Sequence, residues 1–465
     1  MNRTSLWLAG ALLIAGTSAG LSDDATPAAA APPPAGAPAP AAAPAPSVAA
    51  TPAPAANTPA PATTAAPPAT TAAASDPGCA AGGPSGSVAW PIGAAEKAIG
   101  ASQTGLALGL LAKLSPAGSA EIVTVSPTGL TAVLTALELG ADEPMRKGIE
   151  KVLGGEKTPA KAADLRRALR RLGADKPGTG PLAAADALFV DEGLGLKPGI
   201  AETLLAEAGV PVRSVALTTD AGVKAVNGFV SDATKGLIPT ILDTPGANTA
   251  MVAVNAFHFR DCWAVPFDPA DTRPMPFTGG DGKKAEVPTM RLDGKPVAMK
   301  VQGRFAAVEL PYRDARYAMT LVTTTDAPAD AAAFAKAPAP ALLAGEGLAE
   351  AEIELSLPGF SAENSRDLLP LLKQAGLGAG LASPKGLAGF ADGLSLSAML
   401  QKTVVAVDEA GTVAAGATAA VVTRSAGPRL PRVTFDKPFV FALRHKPTGL
   451  VVMAGYVGLP RAAAK

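Results

Sequence analysis

The chain has 465 residues with 40 basic and 40 acidic side chains, so its formal net charge is zero. That balance argues against a nucleic-acid partner, which asks for a basic surface. There is no G-x-S-x-G elbow, H-E-x-x-H helix, P-loop or C-x-x-C pair, so no enzyme activity, cofactor or metal is expected.

In chain order, residues 1–19 read as a secretory signal peptide. Arg3 stands before an apolar core from Leu6 to Ile14, with a small-residue cut near Ala19. That core is short for a membrane span, although retention as an uncleaved anchor stays open. The protein is therefore expected outside the cell or in its envelope. Residues 20–86 are a linker, nearly all Ala, Pro and Thr from Ala25 onward. They have too few large apolar side chains to build a core. At about 3.1 Å per residue such a spacer reaches on the order of 150 Å, as an envelope tether or as an inert separator.

Residues 87–460 carry dense apolar periodicity without a second linker and read as one α+β domain, with 461–465 a short tail. Helical patterns lie at Ala94–Leu114, Pro127–Gly140, Pro144–Leu153, Ala162–Leu172, Gly199–Ala208, Ala221–Thr234 and Ser365–Ala375. Strand-like runs lie at Leu182–Val190, Thr249–Phe259, Ala306–Leu310, Ala318–Thr323, Ala351–Leu357, Thr403–Val407, Arg432–Phe435, Phe439–Arg444 and Leu450–Val457. His258, between two phenylalanines, and His445, in a basic turn, read as structural or solvated. Cys79 lies in the linker and Cys262 in the domain, so no disulfide between them is expected.

The most informative segment is Val407–Val422, VDEAGTVAAGATAAVV. After Glu409 nothing in it ionises and nothing is larger than Val. As a strand it places Thr412, Ala414, Gly416 and Thr418 on one side, with Val413, Ala415 and Ala417 on the other. Either side is small enough to slide between two existing strands.

The stretch DEAGTVAAGAT resembles the hinge and reactive-centre loop of the serpins, the serine protease inhibitor superfamily. Further blocks are similar in order and spacing. They are Val125-Ser126-Pro127 opening a helix, VNGFVSDATKGLIPTIL from Val226, and MVAVNAFHFRDCWAVPF from Met251. VELPYRD at Val308, LSLPGF at Leu355 and the closing FDKPFVFALRHKPTGLVVMAGYVGLP follow. Three positions depart from the family pattern: Phe229 where Trp is usual, Val413 where Glu is usual, and Gln401 where His is usual. Val413 would point outward from an inserted strand, so it is compatible with an inhibitory loop.

The resemblance implies about eight or nine helices around three β-sheets, with an exposed loop able to insert as a strand. It implies a monomeric suicide inhibitor whose partner is a serine protease, or a cysteine protease. Hinge residues are Glu409, Gly411, Thr412, Ala414, Ala415, Gly416, Ala417 and Thr418. Roughly ten new backbone hydrogen bonds at about 1 kcal/mol each make insertion comparable to a domain's stability. The uncut state is then held kinetically. The commonest hinge length puts the scissile bond at Ser425-Ala426, and a hinge one residue shorter puts it at Arg424-Ser425. Arg424 is preferred, because a guanidinium suits the acidic pocket of a trypsin-like target. Ser425 is second, pointing to an elastase- or subtilisin-like target, and Arg429 third.

Ser126, Asn255 and Gln401 match the cluster beneath the point where the strands part, and Trp263 the tryptophan where the loop enters. With Gln for His, that lock is expected to lose its pH sensitivity. Arg166, Arg167, Arg170 and Arg171 lie near where some family members bind sulfated polysaccharide, but such a run is also an ordinary solvated face. A non-inhibitory carrier or substrate, and an envelope-tethered binding protein working through its linker, remain the rival readings.

Overall fold

A computed structural model describes residues 93–154, 161–173, 180–412 and 430–461. The signal peptide, the linker, Ala414, Ala415, Gly416, Ala417, Thr418, Arg424, Ser425, Arg429 and the tail after Arg461 lie outside the described residues.

The longer helices are α1 (Ala94–Leu114), α2 (Pro127–Glu138), α3 (Glu143–Val152), α4 (Ala162–Gly173), α5 (Ile200–Ala208) and α6 (Asp220–Ala233). Each lies within two residues of its sequence expectation at both ends. Their starts are chemically specified. Ser126 Oγ accepts from Gly129 N–H at 3.1 Å with Pro127 in the first turn of α2. Asp142 caps α3 at 2.9 Å through Met145 N–H, and Thr219 caps α6 at 3.2 Å through Gly222 N–H.

The strands are β1 (Ile122–Val125), β2 (Leu182–Asp191), β3 (Val212–Val215), β4 (Met251–Phe259), β5 (Asp261–Cys262) and β6 (Arg273–Thr278). There follow β7 (Lys284–Gln302), β8 (Phe305–Pro311), β9 (Tyr317–Thr324), β10 (Ala349–Pro358) and β11 (Phe360–Asp367). The last are β12 (Ala398–Val407), β13 (Gly411–Thr412), β14 (Arg432–Thr434), β15 (Phe439–His445) and β16 (Leu450–Val457).

One sheet runs β3-β2-β4-β12-β13-β5, with β11 on the other flank of β12. The other runs β1-β16-β15-β9-β8-β7-β10-β14, with β6 on β7. Two of the three expected sheets run together through β7, whose first half pairs β6 and whose last residues pair β8. Opposite the junction of Ile353 and Glu354, Gly294 at φ 61° is skipped by the ladder, a bulge that bends the strand. In sequence its Asp-Gly step reads as a turn, which is why periodicity does not reveal β7.

One expectation is corrected at its start: the pattern over Ser365–Ala375 predicts a helix, but β11 runs to Asp367 and the helical turns begin only at Leu369, continuing as Leu369–Leu372, Lys373–Leu377 and Gly378–Ala382. Residues 360–367 pair along β12, from Phe360↔Val407 to Asp367↔Leu400. That edge offers a full ladder of hydrogen bonds, which outweighs the local helical period.

The core is layered on the first sheet. All nine residues of β4 are buried. Val252, Val254 and Ala256 pack with Val226 and Val230 of α6, whereas Met251, Ala253 and Phe257 join the core that includes Leu130 and Val133 of α2. Alternation therefore turns Asn255 toward α2. The same parity turns Asp186 of β2 and Gln401 of β12 to that face.

Candidate functional site

Strand register brings Asp186, Asn255 and Gln401 abreast on three neighbouring strands. They are joined by one directed chain of hydrogen bonds. Ser126 N–H donates to Gln401 Oε1 at 2.8 Å, and Gln401 Nε2 donates to Ser126 O at 2.9 Å and to Asn255 Oδ1 at 2.8 Å. Asn255 Nδ2 donates onward to Asp186 Oδ1. Ser126 Oγ donates to Val452 O at 2.7 Å, tying the row to β16. Thr403 and Thr124 add a bond of 2.7 Å two residues along. Gly129 lies against Asn255 so closely that a Cβ there would sit 1.7 Å from its Nδ2. Burial pushes the Asp186 carboxyl up to about 7, against the lowering effect of its Asn255 bond.

The row spans the seam between β4 and β12. These two run parallel, whereas each pairs antiparallel with its outer neighbour, β2 or β11. A strand placed between them would be antiparallel to both if it ran the opposite way.

Such a strand is already started at the upper end. β12 ends at Val407, and the chain turns back through Asp408, whose Oδ1 accepts from Ala410 N–H at 2.9 Å and Gly411 N–H at 3.0 Å. Thr412 then pairs antiparallel with Val407 on one side and with Asp261 on the other, and Gly411 pairs with Cys262. Only glycine fits at 411, since a Cβ would stand 2.2 Å from Asp261 O. Thr412 is buried, with Oγ1 2.5 Å from the Tyr312 hydroxyl. Glu409 Oε1 accepts from Thr272 Oγ1 at 2.7 Å, and Glu409 O accepts from Phe267 N–H at 2.9 Å. Trp263 lies here rather than in the polar row. Its indole N–H donates to Asp408 O at 3.0 Å, and its ring stacks on Tyr312 with centroids 4.5 Å apart. Burial raises the Asp408 carboxyl to about 6.

Cys262 is disulfide-bonded and no described cysteine is free, which overturns the expectation of an unbridged cysteine. It sits half-buried on a two-residue strand beside the hinge rather than in the core. Cys79, the other cysteine of the sequence, lies outside the described residues.

The four arginines of α4 diverge. Arg166 turns inward to Glu138 at 2.7 Å, both side chains largely buried. Arg167 pairs with Asp164 at 3.1 Å, Arg170 donates to Glu207 O at 2.5 Å, and Arg171 meets Glu96 at 3.2 Å. His258 is buried on β4 and held down to about 4 by burial and then by Arg260. His445 is also buried, with Nδ1 2.8 Å from Thr448 Oγ1. Among the described residues no cluster of three His, Cys, Asp or Glu could hold a metal ion, and no helix is long and apolar enough to cross a membrane.

Ser126, Asn255 and Gln401 thus meet in one network, and Trp263, Glu409, Gly411 and Thr412 in a second. Sequence reasoning missed Asp186, Gly129, Tyr312 and Asp408. For Asp186 a signal existed: it is a lone acid within the apolar run LAAADALFV, at core-facing parity with Leu188 and Val190.

Residues 101–460 match the profile of the family described as serpin (serine protease inhibitor). The chain is 31% identical over 390 residues to Serpin-ZXA of Oryza sativa subsp. japonica, covering 78% of this chain and 97% of the relative. It is 27% identical to glia-derived nexin of Mus musculus, covering 73% and 88%. Among solved structures, Serpin48 of the insect Tenebrio molitor superposes with a TM-score of 0.67 at 22% identity, covering 79% of this chain and 98% of that one. Native protease nexin-1 with heparin gives 0.66 at 24% identity, covering 79% and 100%. At these identities the two structures bear on the fold alone.

Proposed function

The chain belongs to the serpin family, and from that premise we propose that it is an exported suicide inhibitor of serine proteases with a trypsin-like target. The observation that carries this reading is β13. Two hinge residues are seated between β12 and β5 with antiparallel pairing on both sides. Continued downward, the same strand would run between β4 and β12. It would exchange one parallel pairing, slightly the weaker kind, for two antiparallel ones. That gain is available only once the loop is cut, because an intact loop must return to β14.

In the proposed course the protease serine attacks the carbonyl of Arg424. The bond to Ser425 breaks, and the protease is left as an ester on Arg424. The freed hinge then enters the sheet before water releases the ester. Export rests on the leader at 1–19.

The test is to mix the protein with trypsin and with elastase, resolve the products in SDS, and locate the cut by mass spectrometry. The expected result is an SDS-resistant complex with trypsin and a cut after Arg424. Cutting after Ala426 or Gly427 with no stable complex would sink the assignment and favour a carrier or substrate.

A polyanion partner at Arg166, Arg167, Arg170 and Arg171 is the second reading, favoured by the solved nexin-1 structure, which is one with heparin. Arg166 is consumed by Glu138, and Arg167 and Arg171 have acidic neighbours. The expected outcome is an inhibition rate unchanged within about twofold by heparin-like polymers, since the nearby acids already screen these charges. A bell-shaped acceleration of about tenfold or more would establish the polyanion partner.

A further inference from the structure

Cys262 is disulfide-bonded, and the whole sequence has two cysteines, Cys79 and Cys262. Within one chain the bond therefore has a single possible partner, and it runs from β5 back to the linker. That strand is the flank on which the hinge is seated. Gly411 pairs with Cys262 so closely that a Cβ on the glycine would stand 2.7 Å from Cys262 Cα. Trp263, the next residue, donates its backbone N–H to Ala410 O at 2.9 Å and its indole N–H to Asp408 O at 3.0 Å. Bridged cysteines keep their Cα atoms about 4.4–6.8 Å apart, and paired strand residues about 5 Å. The bond thus holds the linker backbone at residue 79 within about 12 Å of Gly411.

β5 needs no staple for its own sake. Cys262 N–H donates to Asp261 Oδ1 at 2.8 Å, and Cys262 O accepts from Arg313 N–H at 2.8 Å. Asp261 Oδ2 accepts from Asp314 N–H at 3.0 Å. With the strand fixed by these bonds, the bridge acts on its other end and places the linker. Without it the linker would meet the domain only at the start of α1. That start is a different part of the fold, where Glu96 pairs with Arg171 at 3.2 Å and its carbonyl faces Gly449 before β16. The intervening residues 80–93 span at most about 50 Å when fully extended.

We propose that a Cys79–Cys262 disulfide docks the N-terminal linker at the mouth through which the hinge enters, as a guard that reduction removes. While the bridge holds, the chain on both sides of Cys79 takes up space beside Gly411, where an entering strand must pass. After reduction the linker stays joined to α1 but quits the mouth. For its biological use the guard rests on the inhibitory reading above, whereas the bridge itself does not.

The bridge forms by exchange with the disulfide of an oxidoreductase, which an exported chain meets in an oxidising compartment. The Cys79 and Cys262 thiols give up two electrons and two protons, and one S–S bond forms between them. The S–S bond of the oxidant opens to two thiols in the same exchange. A dithiol reductant runs the step backward: its two thiols close to a disulfide, and both cysteines regain their hydrogens. Cys262 is half-buried on a two-residue strand, so its sulfur is not sealed in the core against such exchange.

Both the bridge and the guard are open to test on the full-length protein, with free thiols blocked at harvest. The denatured chain is alkylated with and without reduction, and two alkyl groups are expected only after reduction. The unreduced tryptic map should join the peptide ending at Lys97 to the one beginning at Asp261. A synthetic peptide copying residues 411–424 is then offered to the folded protein, and its uptake is followed by native-gel mobility. Reduced protein should take it up faster by about threefold or more, a modest drop in the entry barrier. Cys79→Ser, a change in the linker, should match reduced wild type with or without reductant. The sequence has no third cysteine, so the reductant has no other target. Two alkyl groups before reduction, a bridged dimer on a non-reducing gel, or uptake indifferent to reduction overturns the guard. A failed trypsin complex alongside redox-dependent uptake would reject the inhibitory reading while leaving the guard standing.

Discussion

Thr412→Arg is expected to convert the protein from an inhibitor into a substrate. The SDS-stable complex with its target should fall at least about a hundredfold, while cleavage of the loop continues. Thr412 is 1% exposed and its hydroxyl meets Tyr312 at 2.5 Å, so the site has neither room nor a partner for a guanidinium. Burying an unpaired charge costs several kcal/mol, and each 1.4 kcal/mol on the insertion barrier is about tenfold in rate. Deacylation, which is chemistry of the protease, should be unaffected and therefore wins the race. Thr412→Ser keeps the hydroxyl and should remain an inhibitor. The measurements are the stoichiometry and second-order rate of trypsin inhibition. A Thr412→Arg variant that still forms complex at the wild-type rate would falsify the assignment of β13 as the leading edge of insertion.

Gly129→Ala should be strongly destabilising. The new Cβ would stand 1.7 Å from Asn255 Nδ2 and 2.4 Å from its Oδ1, in contact with the side chain that links β2 to β12. Asn255 must move, which disrupts its bonds to Gln401 and Asp186. Overpacking costs about 1–3 kcal/mol, and each buried polar group left unmet about the same. A loss of about 3–5 kcal/mol is expected from these two costs together, read as a lower urea midpoint. With the seam weakened, the variant should also lose inhibitory activity on storage, seen as inactive monomer or polymer by gel filtration. An unchanged midpoint together with unchanged shelf activity would remove Gly129 and Asn255 from the lock.

Much of the scaffold is legible in local chemistry. α2 announces itself through Ser126-Pro127 and an apolar run, and β16 through unbroken Leu450–Val457, because caps and periodicity act within a few residues. β11 is not legible, since its ladder partner β12 lies some forty residues downstream and overrides a local helical period. β7 is hidden by the Asp-Gly step that forms its bulge.

The site divides the same way. Gly411, Thr412 and Trp263 stand out by resemblance, the first two in a strip of sequence that is small and apolar after Glu409. Tyr312 does not, because its importance lies in stacking on Trp263 and bonding to Thr412, one hundred residues away. Ser126, Asn255 and Gln401 can be named individually, yet the direction of their hydrogen bonds depends on register across three strands.

What the chain alone determines is therefore the identity of a loop able to become a strand, since side-chain size and alternation are properties of consecutive residues. Whether that strand has begun to enter, and what resists it, are properties of separated residues brought within hydrogen-bond reach. The tertiary structure alone decided that the hinge is docked through Thr412 and that the seam it faces is the parallel β4–β12 pair. It also decided that a partly buried carboxyl at Asp186 ends the row of hydrogen bonds. The partners of that carboxyl are set by strand register, which exists only once β2, β4 and β12 have paired.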